Sequence, residues 1–489
     1  MENNMKHLRS IFAPSVLTVI SLLAAGCARN YNAQVKPVME AWTLADYGTA
    51  AQEATAVASK QKSNTDRDAI IWRLEQGAAL RASGQFKESI EALNAAEEGA
   101  TVFEDPNKAQ AVFGRVIATL SNPTVLPYEG YAYDKIMINT YKAANYIQLG
   151  DFENARVELN SALEKQTDAQ KVNDARIARA QEVAKEKGQN IDVEEIRKDA
   201  KFSVDWKTYY RNLEEMKFYA DYVNPFTEYL RGLFFLYQPS GGADLQEARK
   251  SFENVLGMVG ENKFIVEDLK TAEQAAVGQP ISPTTYVIFE TGRAPVRTNV
   301  SIHIPLILGT MLAGKSPTQT AIPPYMGIAF PLLVFQEGHV SALGVTAGDV
   351  NETTAVLSNM DSVIGREFKN DFTRVMMWSL TSAFVKAGIT YGADAALKDQ
   401  EAYIRLLVKL ALSFYAAYHN VADLRTWNTL PKQIQFCRVP TPADRKLELA
   451  CSGSGPRQTV TLDDGLINLV WVKSINGMSG LQITKCKLR

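Results

Sequence analysis

One stretch of this chain fits a pattern that binds phosphate groups in many nucleotide-dependent enzymes. In GTMLAGKS two glycines are followed by Lys315 and Ser316, at the spacing G-x-x-x-x-G-K-S. In that pattern backbone amides surround the phosphates, the lysine contacts them and the hydroxyl binds Mg²⁺. The chemistry also requires a buried parallel strand before the loop and a helix that begins directly after it.

The residues on either side of GTMLAGKS do not meet these requirements. The preceding VSIHIPLIL alternates apolar and polar residues and contains Pro305, which is typical of a half-exposed or edge strand. The following PTQTAIPPY contains Pro323 and Pro324, which would end a helix within two turns. The context therefore predicts a loop between strands, with no bound nucleotide and no cofactor.

The remaining candidates for catalysis or metal binding are sparse. Beyond the first 26 residues the histidines are His303, His339 and His419. His419 and Asp423 are four residues apart, and such a pair is more often a structural hydrogen bond than a catalytic one. Glu337, His339 and Asp349 match no metal-ligand spacing and suit solvated loops better. The sequence thus favours a protein without a metal and without enzymatic activity.

Three cysteines lie near the C-terminus: Cys437, Cys451 and Cys486. Outside the cytoplasm two of them could form a disulfide, either Cys437–Cys451 or Cys451–Cys486 across neighbouring strands, and one would stay free. The sequence does not decide which two pair.

The first 26 residues have the features of a secretory signal. Lys6 and Arg9 form a basic head, and the apolar run from Ile11 to Ala25 is too short to span a bilayer. Small residues then lead to Cys27, which resembles the lipobox of bacterial lipoproteins, whose mature chains begin at a lipid-modified cysteine. The preferred leucine is one position early, and an ordinary cleaved signal is the alternative interpretation. Ala28, where such proteins have Asp for inner-membrane retention, implies the outer membrane.

Composition excludes one large class of partner. The 489 residues include 52 basic and 54 acidic side chains, for a formal net charge of −2. Nucleic-acid binding requires a strongly basic face, which this balance argues against. The length is enough for two or three domains.

Residues 27–275 have a helical pattern that repeats. LEQGAALRASGQFKESIEALNAA and YKAANYIQLGDFENARVELNSAL agree at small, glycine and aromatic positions, among them Gly77 and Ala143, Gly84 and Gly150, Phe86 and Phe152. This order resembles the tetratricopeptide repeat (TPR), a helical hairpin; a generic helical bundle is the alternative. YLRGLFFLYQPSGGADLQEARKSFENVL, with Gly232, looks like a further copy. The charged stretch at about 166–201 predicts a helical insertion, either solvated or a partner-binding arm.

After residue 280 the period changes from helical to alternating. We expect an α+β domain over 280–432, with helices from about Asn351 and near Gln400, and a small antiparallel β region over 433–489. The predicted fold class is therefore α+β, in which a TPR-like helical repeat domain is followed by an α+β domain that ends in a small antiparallel sheet.

Two segments resemble one family of uncharacterised bacterial outer-membrane lipoproteins that contain TPR repeats. These segments are PYEGYAYDKIMINTYKAANYIQLGDFENARVE, Pro127 to Glu158, and ADLRTWNTLPKQIQFCRV, Ala422 to Val439, with its Arg-x-Trp-x-x-Leu-Pro pattern. The family has no established activity. In some bacteria its genes lie beside those of lipoprotein activators of cell-wall synthases, which implies a role in the cell envelope.

The leading functional hypothesis is a non-enzymatic scaffold. A lipid on Cys27 would hold the chain to the outer membrane, and the concave face of the repeats would bind a periplasmic or envelope protein. Two alternatives remain open: an envelope hydrolase whose site lies between the two halves, and a glycan- or small-ligand-binding protein. The second alternative would use tyrosines that line a groove: Tyr209, Tyr210, Tyr219 and Tyr222.

Overall fold

The computed structural model describes residues 31–117, 123–189, 191–305, 325–396, 421–451 and 455–489. Cys27, the GTMLAGKS stretch, His419 and the helix expected near Gln400 lie outside these residues.

The first half is helical, as the sequence predicts. Its elements are α1 Tyr31–Thr43, α2 Tyr47–Ala58, α3 Ala69–Ala82, α4 Phe86–Val102, α5 Pro106–Ile117, a short 3-10 helix Pro123–Val125, α6 Ala132–Leu149, α7 Phe152–Glu186, α8 Val193–Lys198, α9 Ala200–Glu215, α10 Pro225–Tyr237, α11 Gly242–Val259 and α12 Lys263–Ala276. Consecutive helices pack in pairs, α3 with α4, α6 with α7 and α10 with α11. Each pair is a helical hairpin.

Glycine makes these hairpins possible in two ways. Gly84 and Gly150 turn the chain between paired helices with φ of +82° and +75°, a conformation that residues with a Cβ rarely adopt. At Gly77 the helices approach so closely that an added Cβ would lie 2.6 Å from the Leu93 side chain. The turn and close-approach roles inferred from the repeat pattern are confirmed at these positions.

We expect Gly77→Ala to lower the free energy of unfolding by about 1–3 kcal/mol, because the methyl group must displace Leu93 in a packed core. Urea denaturation measures the change. Gly257 in α11 is the matched control, since a Cβ there would meet nothing within 4 Å. Gly257→Ala should raise stability by up to about 1 kcal/mol, the gain in helix propensity. Equal effects of the two changes would contradict the close approach.

The described residues of the second half form three sheets and one long helix. Its elements are β1 Thr284–Thr291, β2 Val296–Pro305, β3 Tyr325–Val334, β4 Leu343–Ala347, β5 Val350–Thr353, β6 Ala355–Asn359, α13 Met360–Ala396, β7 Gln433–Pro440, β8 Lys446–Cys451, β9 Arg457–Thr461, β10 Ile467–Ser474 and β11 Gln482–Lys487. The strand orders are β11-β10-β1-β7-β6, β2-β3 and β5-β4-β8-β9. Apart from β1 and β10, which run parallel, the paired strands are antiparallel.

The expected boundary at residue 433 is wrong. The C-terminal strands do not form a sheet of their own, because β7 and β10 flank β1 while β8 pairs with β4. All eight residues of β1 are buried, so this strand is central and requires a partner on each side. Those partners lie well over a hundred residues away, beyond the reach of a local pattern.

A second correction concerns the helix expected from Asn351. Residues 350–353 and 355–359 are strands, and the helix begins at Met360. β6 pairs with β7 in the five-stranded sheet, so tertiary pairing overrides the helical tendency of the preceding residues.

The charged segment at 166–201 is helical but does not protrude. α7 continues without a break to Glu186, and its buried residues include Ala169, Asn173 and Ala180. This stripe packs against α13. The segment is therefore not a projecting arm, since the second half of the chain covers one face of the helix; the other face is solvated, as expected.

The two halves share their cores. Each of the two hydrophobic clusters contains residues of both the helical repeats and the strands. The first helices of the hairpins, α3, α6 and α10, are buried along nearly their whole length. One side of each contacts its paired helix, and the other side contacts the second half, as in the rings of Tyr229 and Phe436, 4.4 Å apart.

Candidate functional site at the junction of the two halves

The segments Pro127 to Glu158 and Ala422 to Val439 meet in space. Arg425, from the second segment, lies with its guanidinium 5.5 Å from the ring of Tyr128 in the first. The same guanidinium donates to the carbonyl oxygens of Arg67 and Leu126, at 2.8 and 3.0 Å. Residues of these two segments therefore build one contact, which joins the helical half to the rest of the chain.

Two carboxylates complete the surroundings of Arg425. Its Nη1 lies 3.0 Å from Asp68, and its Nε and Nη2 form a fork on Asp423 at 2.8 and 2.7 Å. Burial alone would raise the pKa of Asp423, but the Arg425 guanidinium lowers it below its usual range. Asp423, four residues after His419, thus binds Arg425.

Glu75 of α3 binds the backbone of the same extended segment. One carboxylate oxygen accepts from the Asn428 amide at 2.7 Å, and the other accepts from the Thr429 amide at 3.2 Å and its hydroxyl at 2.7 Å. The Tyr31 hydroxyl donates to the same carboxylate at 2.7 Å. Burial raises the pKa of Glu75, and these hydrogen bonds oppose the rise. A buried acceptor with this many donors fixes the segment in one register.

Apolar side chains of the extended segment that contains Trp427 pack against the helices. Trp427 and Leu430 are fully buried, and the Trp427 ring meets Tyr141 of α6 edge to face at 5.8 Å. The inner surface of the hairpins thus holds an extended polypeptide from its own chain. The binding of a partner protein by this face stays a prediction; in the conformation described, the face holds a segment of its own chain.

A cluster of buried charges lies next to this segment. The ring of Tyr131 has three guanidinium groups around it, those of Arg297, Arg176 and Arg374, at 4.2, 5.3 and 5.9 Å. Burial raises the pKa of Tyr131, while Arg297 and Arg374 oppose the rise. The adjoining cavity, about 30 Å³, has room for a water molecule and not for a substrate. The geometry is that of a structural ionic core.

Glu367 of α13 caps the start of α6. Its carboxylate accepts the backbone amide of Tyr133 at 2.8 Å and also that of Ala132. Burial raises its pKa from 4.5 to about 7, although these hydrogen bonds act in the opposite direction.

This raised pKa predicts a pH dependence of stability. Between the unfolded-state value near 4.5 and the folded-state value of about 7, the folded protein binds the Glu367 proton more tightly than the unfolded chain does. The associated stability is present at low pH and is lost as pH rises through about 7. Relative to Glu367→Gln, the wild type should lose about 1–3 kcal/mol of unfolding free energy between about pH 5 and about pH 8. Urea denaturation of both proteins across this range measures it; a pH-independent difference would contradict the shift.

The predicted disulfide is not formed. Cys437, Cys451 and Cys486 are free and buried, and they face Val287, Leu343 and Leu469 on the adjacent strands. None of the three lies opposite another, which excludes either proposed bridge in this arrangement. Burial raises the pKa of the Cys486 thiol to about 12, so this thiol is a poor nucleophile.

Each of the two histidines in the described part of the chain, His303 and His339, has its own surroundings. His303 projects from β2, where its Nδ1 lies 3.0 Å from Asp205. Burial and the Lys432 ammonium lower the pKa of His339. Within the described part of the chain, no group of three His, Cys, Asp or Glu side chains could hold a metal ion. Glu337, His339 and Asp349 accordingly form no ligand set.

The strand that precedes GTMLAGKS differs from the strand that a phosphate loop requires, which is parallel to its neighbours and buried on both faces. β2 and β3 form a two-stranded antiparallel sheet, with Ile302 and Ile304 buried and Ser301 and His303 exposed. The predicted alternation is confirmed, and the parallel, doubly buried strand of a phosphate loop is not what precedes Lys315.

The four tyrosines proposed for a ligand groove do not line one together. Tyr210 is buried, and its hydroxyl donates to the carbonyl of Pro331 at 2.6 Å. The Tyr219 hydroxyl accepts the Asn359 amide, Tyr222 is buried, and Tyr209 is exposed. Among the helices of the described residues, none has the length and hydropathy needed to cross a membrane.

Few known proteins are similar to this chain. No family model matches the chain, and no curated protein matches it. Among solved structures, a tetratricopeptide repeat protein from Parabacteroides merdae ATCC 43184 is similar over 50% of this chain and 98% of its own, with 14% identity and a TM-score of 0.14. The hairpins described above stand on their own contacts.

Proposed function

We propose that this protein is a non-enzymatic scaffold of the bacterial outer membrane, held by a lipid on Cys27, that binds a protein of the cell envelope. The observation that supports it most is that the hairpins already hold polypeptide. Glu75 accepts two backbone amides of an extended segment, and Arg425 donates to two carbonyl oxygens of the repeat half. Recognition of backbone by fixed side chains is how repeat arrays bind extended partners.

The inner surface is occupied, so the partner surface of this proposal is an outer one. α4 keeps one face uncovered, with Glu88, Glu91 and Glu98 exposed. These carboxylates lie on one side of the helix by their spacing. A charged outer face of this kind suits a partner with a basic surface. The family resemblance directs the search for that partner to cell-wall synthesis.

Capture from native membranes tests the proposal. The tagged full-length protein is cross-linked in its host and purified from solubilised membranes, and the co-purifying proteins are quantified. A stoichiometric envelope protein is expected, and its recovery should fall at least tenfold for a Glu88→Lys, Glu91→Lys double variant. The matched control reverses two exposed charges elsewhere, Glu261→Lys and Glu273→Lys, and should leave recovery unchanged. Purification of the protein alone would contradict the proposal.

A further inference from the structure

The strand β9 forms an open edge of the four-stranded sheet β5-β4-β8-β9. It pairs with β8 on one side, and four of its five residues are exposed. Other edge strands have neighbours: β11 packs against α6, and β6 packs against α10. At the opposite edge of the same sheet, β5 is bound to α12 by the ion pair of Glu352 and Lys263, 2.6 Å.

The hydrogen bonds to β8 fix the direction of the backbone groups of β9. In an antiparallel pair, residues that exchange hydrogen bonds alternate with residues that do not. At one end of the pairing the Leu462 amide donates to the Arg445 carbonyl oxygen at 2.8 Å, and at the other the Cys451 amide donates to that of Pro456 at 3.1 Å. Both bonds give the same alternation in the register of the two strands. The residues whose amide and carbonyl groups point away from β8 are Arg457, Thr459 and Thr461.

These three amides and three carbonyl oxygens have no partner within the described part of the chain. An open edge is a template for another strand, and proteins usually block it with a proline, a charge or a bulge. From Gln458 to Thr461 the strand has no proline and no charged residue, and its register with β8 is continuous. The edge can therefore accept a further strand.

The sequence of β9 complements itself. In an antiparallel pair of two copies centred on Thr459, this residue faces its own counterpart and Arg457 faces Thr461, so every open amide and carbonyl group gains a partner. Arg457 also becomes the diagonal neighbour of Asp463 in the second copy, within reach of a long side chain. Asp463 binds Lys485 of its own copy and is 39% exposed, so its carboxylate can accept a second cation.

We propose that β9 pairs antiparallel with β9 of a second copy of this chain, which joins two four-stranded sheets into one continuous sheet. An unrelated strand would satisfy the backbone of β9, but only a copy of the same segment brings an acidic residue to each Arg457. This inference does not depend on the scaffold function.

The detergent-solubilised full-length protein should sediment as a dimer in the analytical ultracentrifuge, and Thr459→Pro should weaken dimerisation at least tenfold. Proline removes the Thr459 amide, which points away from β8, so the sheet within one copy keeps its hydrogen bonds. Thr353→Pro is the matched control. Because the Thr354 amide donates to Leu343, the Thr353 amide points away from β4 at the opposite edge, and its loss should leave the dissociation constant unchanged.

Thr459→Cys tests the register independently. The two introduced thiols would face each other with their Cα atoms about 5.5 Å apart, a separation that a disulfide can bridge. Mild oxidation should therefore give a covalent dimer on a non-reducing gel. Gln458→Cys is the control, because two copies of this residue would be diagonal neighbours about 7–8 Å apart. It should give at least tenfold less covalent dimer.

A monomeric wild type, a dimer that survives Thr459→Pro, or equal cross-linking of the two cysteine variants would overturn the proposal. In native membranes, a disulfide from Thr459→Cys to a different protein would also overturn it, because the strand on β9 would then not be a second copy. Should Thr459→Pro fail to fold, the comparison of the two cysteine variants still decides the proposal.

Discussion

Replacing Arg425 by alanine is expected to lower the free energy of unfolding by about 3–5 kcal/mol, the cost typical of removing one partner of a buried ion pair. Arg425 is 4% exposed, and its guanidinium contacts Asp423, Asp68 and two carbonyl oxygens of the repeat half. After the substitution these acceptors remain buried, and each loses a charged donor. Chemical denaturation followed by tryptophan fluorescence measures the change.

Two further variants separate the ion pair from general damage. Arg211→Ala removes an arginine whose ion pair with Glu215 is 73% and 70% exposed, and it should change stability by less than about 0.5 kcal/mol. In a double-mutant cycle with Asp423→Ala, the coupling energy of Arg425 and Asp423 should be about 1–3 kcal/mol. A loss below about 1 kcal/mol for Arg425→Ala would show that the segment is not held as described.

The local features of the fold follow from the sequence. Gly77 and Gly84 predict a close helix approach and a turn, and both are present. The alternation in VSIHIPLIL predicts the exposed and buried faces of β2, and these are also correct. Such features depend on a few neighbouring residues, so a local pattern contains them.

The predictions that were wrong concern features that depend on strands far away in the sequence. β1 is buried because β7 and β10 flank it, and nothing near Thr284 indicates that its partners begin at Gln433 and Ile467. The absent disulfide has the same cause, since the three cysteines were assigned to neighbouring strands of a sheet that does not exist. Strand order at this sequence separation is a tertiary property.

The occupied inner surface could have been anticipated from the composition of the first helices. AIIWRLEQGAAL, in α3, and PFTEYLRGLFFLY, in α10, are apolar on nearly all sides. A helix of this kind is buried all round, whereas a repeat helix with a free concave face has one polar side. Glu75 is a second indication that another part of the chain covers α3, because a lone carboxylate inside such a helix requires buried hydrogen-bond donors. Those donors come from residues 428 and 429, which no local pattern connects to α3.

Replacing Cys27 by serine is expected to move the protein from the membrane fraction to the soluble fraction of its host. A serine hydroxyl does not form the thioether through which lipoproteins acquire their lipid. Each buried methylene of an acyl chain contributes about 0.8 kcal/mol, so two or more chains on one residue give a stable anchor, and their loss should release most of the protein. Fractionation and the mass of the N-terminal peptide measure the result.

The control removes a thiol that has no part in anchoring. Cys437 is buried in β7, and Cys437→Ser should leave the protein in the membrane fraction even if it lowers stability. Ala28→Asp tests the second part of the localisation: the lipobox resemblance implies that this change retains the lipidated protein at the inner membrane, which a density gradient resolves. A wild-type N-terminal peptide that begins at Cys27 with a free amine and a free thiol would exclude the anchor. The protein would then reach its partner by diffusion, and the recovery of that partner in the capture experiment should not depend on Cys27.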